Sequence, residues 1–257
     1  MQYIGNLAHF QQAASRTDDY GARRAATLRA LEVRSGEVVL DIGCGSGLFL
    51  RDLAQAVGPL GRAFGVDPSD EQLRVARSNC ADLSNVELQT GSTFALPYPS
   101  ASFDATTSIQ VLEYVDHVPE ALAEIHRVLK PFGRFANFAT NWGSLFWHSR
   151  DPDRMGKILK VWDLHSPHPN LPAHLRSLLT GARFADVQQI PVAMLNTKYD
   201  DTAFSYWLAR VIATFACGRG LVTEHEAEQW LADLAAVAEC DEYLFCAMAV
   251  VTRAAKI

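Results

Sequence analysis

Residues 38–47 read VVLDIGCGSG, and this stretch decides the fold. Its first half, 38–42, is a β-branched and aliphatic run of the kind that forms a strand covered on both faces. Its second half is a glycine-rich turn. After the turn, Phe49, Leu53 and Val57 recur at a helical spacing of four until Gly58 ends the pattern. The stretch therefore predicts a strand, a glycine turn and a helix, and open α/β sheets bind ligands at such turns.

Short apolar runs alternate with helical patterns on both sides of this stretch. Further strands are predicted at 63–66, 86–90, 103–109 and 134–139. One intervening helix follows a capping box formed by Ser69 and Gln72, and another begins at Pro119 and is broken by Pro131 and Gly133. Strands separated mostly by helices predict a doubly wound α/β domain with a parallel sheet and right-handed crossovers.

The last third of the sequence is less regular. A helix is predicted at 171–179, and strands are predicted at 184–190 and 243–251. Two amphipathic helices lie between those strands, the second of which opens with a capping box from Thr223 to Glu226. Their aromatic stripes have two interpretations: they pack as core, or they form a lid over an apolar substrate.

Charge and composition exclude several classes of protein. The 257 residues include 23 Lys and Arg against 29 Asp and Glu, a net charge of −6. An acidic chain is a poor nucleic-acid binder, because that binding depends on clustered basic residues. No membrane span or signal peptide is recognisable, and the five cysteines contain no Cys-x-x-Cys pair. A cytoplasmic protein without nucleic-acid partners is therefore expected.

The glycine spacing separates two classes of nucleotide-binding turn. The order here is G-x-G-x-G, whereas nicotinamide-dependent dehydrogenases prefer G-x-G-x-x-G, and Leu48 occupies the sixth position. Asp67 ends the second strand twenty residues after Gly47, where a carboxylate accepts hydrogen bonds from both hydroxyls of a ribose. The alternatives for Asp67 are a solvated turn residue or a cap for the helix beginning near Ser69.

Five ordered motifs carry a family resemblance, and a sixth segment supports it. They are VLDIGCGSG (39–47), GVDPS (65–69), LPYPSASFD (96–104), IQVLEYV (109–115) and HRVLKPFGRF (126–135), followed by LLTGARFADV (178–187). With these motifs the sequence resembles the class I S-adenosylmethionine-dependent methyltransferases, and within them the ubiquinone and menaquinone biosynthesis branch (methyltransferase type 11). The resemblance covers about residues 35–190.

The resemblance implies a Rossmann-like methyltransferase fold. That fold has seven strands in a mostly parallel sheet whose last strand runs antiparallel, with helical cap insertions. We expect a single methyltransferase domain over 1–257, with an N-terminal helical cap at 1–30 and substrate-covering insertions at 141–170 and 195–240.

The resemblance also implies a site for S-adenosylmethionine, with S-adenosylhomocysteine as product, across the ends of strands one, two and four. Asp41 would orient the methionine ammonium or brace the turn, Asp67 would hold the ribose, and Gln72 would lie against the adenine. Gln110 would face the methionine part. The full set of implied cofactor-binding residues is Tyr20, Asp41, Gly43, Cys44, Gly45, Gly47, Asp67, Pro68, Gln72, Ser92, Thr93 and Gln110.

Three of these positions need comment, as does Arg24, which lies near Tyr20 in the sequence. The family usually has an aspartate in Gly-Asp-Ala to accept from the adenine amino group, but this sequence has Ser92 and Thr93 after Gly91. A hydroxyl accepts such a bond without charge. Cys44 lies at a helix N-terminus, where a thiol pKa tends to fall, but it is interpreted as a small filler. Arg24 is expected to join Tyr20 in closing over the cofactor.

Methyl transfer from a sulfonium needs alignment more than a base, because the leaving group carries its own activation. If the acceptor needs a base, His165 is the first candidate, and His148 and His168 are the reserves. Their aromatic segment, 141–169, is typical of an aromatic acceptor pocket. In the alternative interpretation, His165 and His168 cap the turn around two prolines. A metal site is not predicted, since no third ligand accompanies this pair.

The expected function is methyl transfer to a small apolar or aromatic metabolite. An alternative is a cyclase, isomerase or non-catalytic sensor that retains the S-adenosylmethionine site. A nicotinamide-dependent dehydrogenase is a third reading, which the glycine spacing disfavours. The sequence leaves the acceptor open, and it is compatible with a homodimer.

Overall fold

The structure, a computed structural model, describes residues 13–257 and divides into two compact units. The first unit contains the described residues up to 23, together with 140–170 and 192–249. The second contains 24–139, 171–191 and 250–257. The predicted insertions at 141–170 and 195–240 both fall in the first unit. The predicted cap at 1–30 begins outside the described residues.

The helices and strands of the described residues are as follows in chain order. They are α1 (Asp18–Leu31), β1 (Val38–Ile42), α2 (Leu48–Val57), β2 (Arg62–Asp67), α3 (Asp70–Asn79), β3 (Val86–Thr90), β4 (Phe103–Ile109), α4 (Val118–Val128), β5 (Leu129–Thr140), β6 (Phe146–Trp147), α5 (Pro152–Trp162), α6 (Leu171–Gly181), β7 (Phe184–Asn196), α7 (Phe204–Gly218), α8 (Glu224–Glu239) and β8 (Phe245–Lys256).

The second unit is built on a sheet in the order β3-β2-β1-β4-β5-β8, with β7 beside β8. The pairs β1–β2, β1–β4, β2–β3 and β4–β5 are all parallel. Helix α2 connects β1 to β2, α3 connects β2 to β3, and α4 connects β4 to β5, so helical crossovers join these parallel neighbours. The predicted α/β class and the mostly parallel sheet are confirmed.

One core of the second unit lies between the sheet and the helices α4 and α6. Leu40, Phe135, Ile125 and Leu175 belong to this cluster, and all four are fully buried. Leu40 and Phe135 come from strands, while Ile125 and Leu175 come from the apolar stripes of α4 and α6. Burial of these stripes fixes the two helices against the sheet, at roughly 1.5–3 kcal/mol for each large apolar side chain.

The predicted beginning of the fifth strand was wrong. It was placed at residue 134, but β5 begins at Leu129. The residue before a proline is pushed out of the helical region, so Lys130 before Pro131 ends the helix early. The pairing with β4 then jumps from Phe103–Leu129 to Ala105–Arg134, which leaves extra residues in a bulge.

The late strands are also longer than predicted. Strand β7 continues through Pro191 to Asn196, and a proline is tolerated there because β7 pairs only with β8. Strand β8 continues through Thr252 and Arg253, which are not apolar and therefore ended the predicted run. Arg253 is nevertheless held in place, since its guanidinium pairs with Glu32.

The first unit packs α5, α7 and α8 with a short antiparallel ribbon. Trp147 of β6 lies opposite Phe245 of β8 and is fully buried. Its indole N–H donates to the hydroxyl of Tyr243 at 2.9 Å, which in turn donates to Ser205 at 2.8 Å. The two-residue β6 brings the sheet to eight strands within residues 13–257, where seven were predicted.

The aromatic stripes of α7 and α8 contribute to the core of the first unit. Phe204, Leu208 and Ile212 of α7 are buried, as are Trp230 and Leu234 of α8. The predicted capping box of α8 is confirmed. The Thr223 side chain accepts from the backbone N–H of Glu226, and the Glu226 side chain accepts from the backbone N–H of Thr223. These stripes pack as expected of core residues.

No helix in the described part of the chain combines the length and apolar character needed to cross a bilayer.

Candidate functional site

The glycine turn between β1 and α2 takes backbone conformations that favour glycine. Gly43, Gly45 and Gly47 have φ values of 69°, 51° and 79°. The N–H groups of Gly43 and Cys44 both donate to the carbonyl of Val66, at 2.7 and 3.0 Å. These bonds tie the turn to the end of β2, so the carboxyl ends of two neighbouring strands meet at one place.

The three glycines differ in the space around them. A Cβ on Gly43 would collide with Val111, and one on Gly47 would lie 2.9 Å from the Cβ of Ala76. A Cβ on Gly45 would meet nothing nearer than Gln72 Oε1, at 3.9 Å. The outer glycines therefore allow close packing, whereas the middle one faces open space beside the Gln72 amide.

Asp67 links the glycine turn to the next helix. Its Oδ2 accepts from the N–H of Gly45 and its Oδ1 accepts from the N–H of Ser69, both at 2.9 Å. The residue is 8 % exposed. Each carboxylate oxygen has two lone pairs, so both keep one for a ligand hydroxyl. Asp67 therefore holds the residue that caps α3, Ser69, and keeps the acceptor capacity that ribose binding needs.

Only one of the two hydrogen bonds of the predicted capping box at Ser69 is present. The Ser69 hydroxyl accepts from the N–H of Gln72 at 3.3 Å, as predicted. The Ser69 N–H, which a full capping box would give to the Gln72 side chain, donates to Asp67 instead. This exchange leaves the Gln72 amide available at the glycine turn. Pro68, between Asp67 and Ser69, is exposed.

Asp41 is a buried carboxyl at the end of β1. It is 2 % exposed, and its pKa is raised well above its usual range by burial first and then by the charges of Asp67 and Asp52. Asp52 is itself paired with Arg24 at 2.7 Å. A carboxyl whose ionised form is disfavoured in this way gains from a nearby cationic ligand.

Cys44 is a buried residue of the glycine turn. Its thiol pKa is raised, because burial outweighs every other influence and the nearby Asp41 acts in the same direction. A Cβ on Gly65 would lie 2.9 Å from its sulfur. The thiol thus fills space between the turn and β2 and stays protonated at neutral pH, as a filler and not a nucleophile.

The Gly91-Ser92-Thr93 segment lies next to Asp67, since the Gly91 N–H donates to the Asp67 carbonyl at 3.2 Å. Ser92 is exposed and its hydroxyl oxygen accepts from the N–H of Phe94 at 3.2 Å. The hydroxyl keeps a second lone pair, so it can still accept one hydrogen bond from a ligand amino group. Thr93 is half-buried beside it.

Gln110 follows β4 in an unusual backbone conformation. Its φ is 56°, in the left-handed region that a residue with a side chain adopts at a cost of roughly 1–2 kcal/mol. Its N–H donates to the carbonyl of Phe138 at 2.9 Å, which helps to hold it there. The next residue, Val111, packs against Gly43, so Gln110 lies beside the glycine turn. Strain of this kind is concentrated at functional sites.

A buried polar pair in β4 and β5 was missed by the sequence analysis. The Ser108 hydroxyl donates to Asn137 Oδ1 at 2.8 Å, and neither residue is exposed to solvent. Asn137 Nδ2 has no hydrogen-bond partner within residues 13–257. Polar residues in central parallel strands, which are usually apolar, were the signal that could have identified them.

Tyr20 belongs to the first unit and is held by aromatic and cationic contacts. The Arg23 guanidinium lies 3.3 Å above its ring, and Phe204 packs at 5.7 Å. Arg24 belongs to the second unit, where it pairs with Asp52. A role for Tyr20 and Arg24 in closing over a cofactor stays a prediction.

The three candidate histidines have different surroundings within the first unit. His165 is buried, stacks on Trp162 at 3.8 Å and meets Trp142 edge-on at 4.9 Å. Its Nδ1 lies 2.5 Å from the Trp162 carbonyl, which can only accept, so Nδ1 carries the proton in the neutral ring. His148 is exposed and His168 is half-buried. The catalytic role of each histidine stays a prediction.

Burial lowers the pKa of His165 to about 4. In the unfolded chain the pKa of this histidine is about 6.5, so below that pH the unfolded chain binds a proton that the folded protein does not bind. We expect this residue to cost the fold up to about 3 kcal/mol as the pH falls from 6.5 to 4. Urea unfolding followed by tryptophan fluorescence measures this loss of stability, as the difference in pH dependence between the wild type and His165→Phe. Identical pH slopes for the two proteins would contradict it.

No cluster of three or more His, Cys, Asp or Glu side chains that could hold a metal ion is found among residues 13–257.

Part of this chain matches a known domain family. The methyltransferase domain family matches residues 40–137, which contain the glycine turn, Asp67 and strands β2 to β4. A demethylmenaquinone methyltransferase of Listeria welshimeri is 38 % identical over 120 residues, which is 46 % of this chain and 51 % of the relative. An uncharacterised 37.1 kDa protein in transposon TN4556 of Streptomyces fradiae is 39 % identical over 139 residues, which is 54 % of this chain and 40 % of the relative.

The chain thus spans about half the length of the curated relatives it matches, or less. Among solved structures, the YcgJ protein of Bacillus subtilis superposes with a TM-score of 0.63 at 22 % identity, covering 92 % of this chain and 98 % of that one. The structural likeness supports the fold, and the sequence matches support the family. Residues 40–137 thus match the methyltransferase domain family, and the described chain has a methyltransferase-like α/β fold.

Proposed function

We propose that this chain transfers the methyl group of S-adenosylmethionine to a small apolar or aromatic acceptor. The observation that carries the proposal is the union of a glycine turn, a doubly hydrogen-bonded Asp67 and a buried Asp41 at the ends of two neighbouring strands. Each of these features is explained by a ligand with a ribose and a positive charge.

The charges of the site favour a cationic ligand. The negative charge of Asp67 lies close enough to raise the pKa of Asp41. S-adenosylmethionine carries a sulfonium and an ammonium, and a cation near Asp41 would favour its ionised form. Asp41 would thereby hold the methionine ammonium, which is one of the two roles that the family resemblance implies.

The shape of the site also fits that cofactor. Open space lies over Gly45, and the Gln72 amide borders it. Asp67 would take the two ribose hydroxyls, Gln72 would lie against the adenine, and the Ser92 hydroxyl would accept from the adenine amino group. Demethylmenaquinone methyltransferases in the same branch are named for a quinone acceptor, which supports an apolar aromatic acceptor here.

The bound cofactor supplies a methyl group on a sulfonium, and the protein supplies alignment and exclusion of water. Alignment alone is worth roughly 7–11 kcal/mol in well-oriented reactions. The strained backbone of Gln110, fixed by Phe138 and by Val111 against Gly43, would hold the methionine part without adjustment during the reaction. Positioning of this kind requires no dedicated base.

If an acceptor proton must be removed, His165 is the first candidate. Nδ1 donates to Trp162, so the lone pair for accepting a proton is on Nε2. A pKa of about 4 makes the ring a weak base at neutral pH. We therefore infer that His165 contributes mainly by its place in the aromatic cluster, and that an acceptor already acidic is used.

The alternative is a protein that binds S-adenosylmethionine without transferring methyl, as a cyclase, an isomerase or a sensor. The uncharged Ser92 and the lack of a compelling base permit this alternative, because neither feature requires methyl transfer. Binding and transfer must therefore be measured separately.

Isothermal titration with S-adenosylmethionine and S-adenosylhomocysteine tests the cofactor site. We expect micromolar dissociation constants, and absence of binding would end both readings. A screen of phenols, quinols and amines with methyl-labelled cofactor then tests transfer. Release of S-adenosylhomocysteine that depends on an acceptor supports the methyltransferase, whereas tight binding with no labelled product from any acceptor supports the alternative.

A further inference from the structure

The side chain of Asn79 connects the end of α3 to the glycine turn. Its Nδ2 donates to the carbonyl of Ser46 at 2.9 Å, although the two residues are 33 positions apart in the sequence. An asparagine at the end of a helix is often only a local cap, because its amide can bond to nearby backbone. The Asn79 amide instead reaches a carbonyl of the glycine turn, so its effect is on the turn.

The residue after Asn79 contacts the next carbonyl of the turn. The Cys80 thiol donates to the Gly47 carbonyl at 3.6 Å, and the same carbonyl accepts from the N–H of Arg51 at 3.0 Å. A thiol is a weak donor, so the Asn79 bond is the stronger of the two. The end of α3 therefore holds two successive carbonyls of the glycine turn.

The position of Asn79 is itself fixed by Arg51 of α2. One guanidinium nitrogen of Arg51 donates to the Asn79 carbonyl at 2.9 Å. The other donates to Asp82 Oδ2 at 2.7 Å, which orients the guanidinium. The backbone of Asn79 is thus tied to α2, while its side chain is tied to the turn that precedes α2.

The bond from Asn79 fixes the peptide group between Ser46 and Gly47. A trans peptide is planar, with its C=O and N–H on opposite sides. Here the C=O accepts from Asn79, and the N–H donates to the Cys44 carbonyl at 2.9 Å. Gly47 itself restricts rotation of this peptide little, because glycine adopts positive and negative φ about equally. Removing the Asn79 amide would take away one of the two hydrogen bonds that oppose this rotation.

This peptide group immediately precedes the first turn of α2. A helix leaves its first N–H groups without intrahelical partners, and its N-terminus favours an anion. Gly47 is the N-cap residue of α2 and has no side chain to accept from those N–H groups. In the proposed cofactor site, the anion that they would meet is the carboxylate of the methionine part. The direction of these N–H groups depends on the peptide that Asn79 holds.

We propose that Asn79 is a positioning residue for the amino acid part of S-adenosylmethionine. It acts through the Ser46 carbonyl and orders the glycine turn before the ligand binds. A site that is ordered in advance loses less conformational entropy on binding, and its affinity is higher. The inference rests on the cofactor site proposed above. It assigns Asn79 to the amino acid part of the ligand and not to the adenosine, which Asp67 and Gln72 would contact.

Two ligands separate these parts of the cofactor. S-adenosylhomocysteine contains the amino acid part, whereas 5′-methylthioadenosine has the same adenosine and sulfur without it. In isothermal titration we expect Asn79→Ala to weaken S-adenosylhomocysteine about tenfold, through the loss of one hydrogen bond. Its affinity for 5′-methylthioadenosine should stay within about twofold of the wild type, which also shows that the variant folds.

Asn79→Asp is a second variant, with a side chain of the same size. An ionised carboxylate cannot donate to the Ser46 carbonyl, so S-adenosylhomocysteine should again bind at least about tenfold more weakly. If Asn79→Ala did not fold, the comparison of the two ligands on Asn79→Asp would decide the question.

Asn85→Ala is the matched control. Asn79 and Asn85 are both half-buried, and Asn85 Nδ2 donates to the carbonyls of Ala54 and Gly58 at 2.9 and 3.0 Å, at the other end of α2. The control removes the same kind of side-chain bond from the same helix, away from the glycine turn. We expect its affinity for both ligands to stay within about twofold of the wild type.

Three results would overturn the proposal. Equal weakening of the two ligands in the Asn79 variants would show that Asn79 only supports the fold. Unchanged affinity for S-adenosylhomocysteine would show that the turn is ordered without Asn79. An equal loss in Asn85→Ala would assign the effect to α2 as a whole. Failure of the cofactor proposal would look different, since the wild type itself would not bind S-adenosylhomocysteine.

Discussion

Replacing Asp67 with asparagine is expected to weaken the binding of S-adenosylhomocysteine at least about 100-fold, or about 2.7 kcal/mol. The carboxylate accepts from the N–H groups of Gly45 and Ser69 and would also accept from two ribose hydroxyls. An amide nitrogen cannot accept, so asparagine would place a donor against one of these donors. Hydrogen bonds to a charged group are worth roughly 1.5–3 kcal/mol each. Isothermal titration measures the loss directly.

Asp70→Asn is the matched control for this change. Asp70 lies three residues further along and is exposed, and it accepts from the Thr90 hydroxyl at 2.7 Å. The substitution alters the net charge by the same amount, but it touches neither the glycine turn nor Asp67. We expect its affinity to stay within about twofold of the wild type. Equal affinity losses in the two variants would show that net charge, and not the position of Asp67, governs binding.

Replacing Gly47 with alanine is expected to destabilise the second unit by about 2–5 kcal/mol. The φ of 79° costs a residue with a Cβ roughly 1–2 kcal/mol. The added methyl would lie 2.9 Å from Ala76 Cβ and 3.1 Å from its Cα, so backbone must move, and overpacking adds roughly 1–3 kcal/mol. Far-UV circular dichroism in urea is the appropriate measurement, because Trp142, Trp147, Trp162, Trp207 and Trp230 all lie in the first unit.

Gly36→Ala separates the two parts of this cost. Gly36 has a similar φ of 86°, but a Cβ placed there would meet nothing within 4 Å. We expect it to cost only the conformational part, about 1–2 kcal/mol. If the two alanine variants were equally stable, close packing of the glycine turn on α3 would contribute nothing to the fold.

The arrangement of the central strands was predictable because local pattern and buried position agree there. Strands β1, β3 and β4 were predicted at their observed limits. For β1 the reason is a largely apolar run before a glycine turn, as a buried parallel strand requires. The bulge in β5 was not predictable from apolar pattern, because Pro131 acts on the backbone of the residue before it.

The site was predictable to the extent that it depends on backbone geometry. The glycine spacing and the acidic residue at the end of β2 identified the turn and Asp67, and the structure joins them by one hydrogen bond. The Ser69 N–H donates to Asp67 and not to the Gln72 side chain. Both candidate acceptors lie within three residues of Ser69, so the sequence pattern alone did not decide between them.

The surroundings of the three candidate histidines could not be predicted from the sequence. Three histidines among tryptophans suggested an acceptor pocket, but composition cannot distinguish a ring that faces a substrate from one stacked inside a core. Burial of His165 determines its low pKa, and part of that packing comes from Trp142 and Phe215, which are distant from it in the sequence.

A crystal structure with S-adenosylhomocysteine tests the central claim most directly. We predict the ribose hydroxyls within hydrogen-bond distance of Asp67, the amino acid part near Asp41 and Gln110, and the adenine beside Gln72. Density for the compound away from the glycine turn, or a turn that stays empty at saturating ligand, would contradict the account.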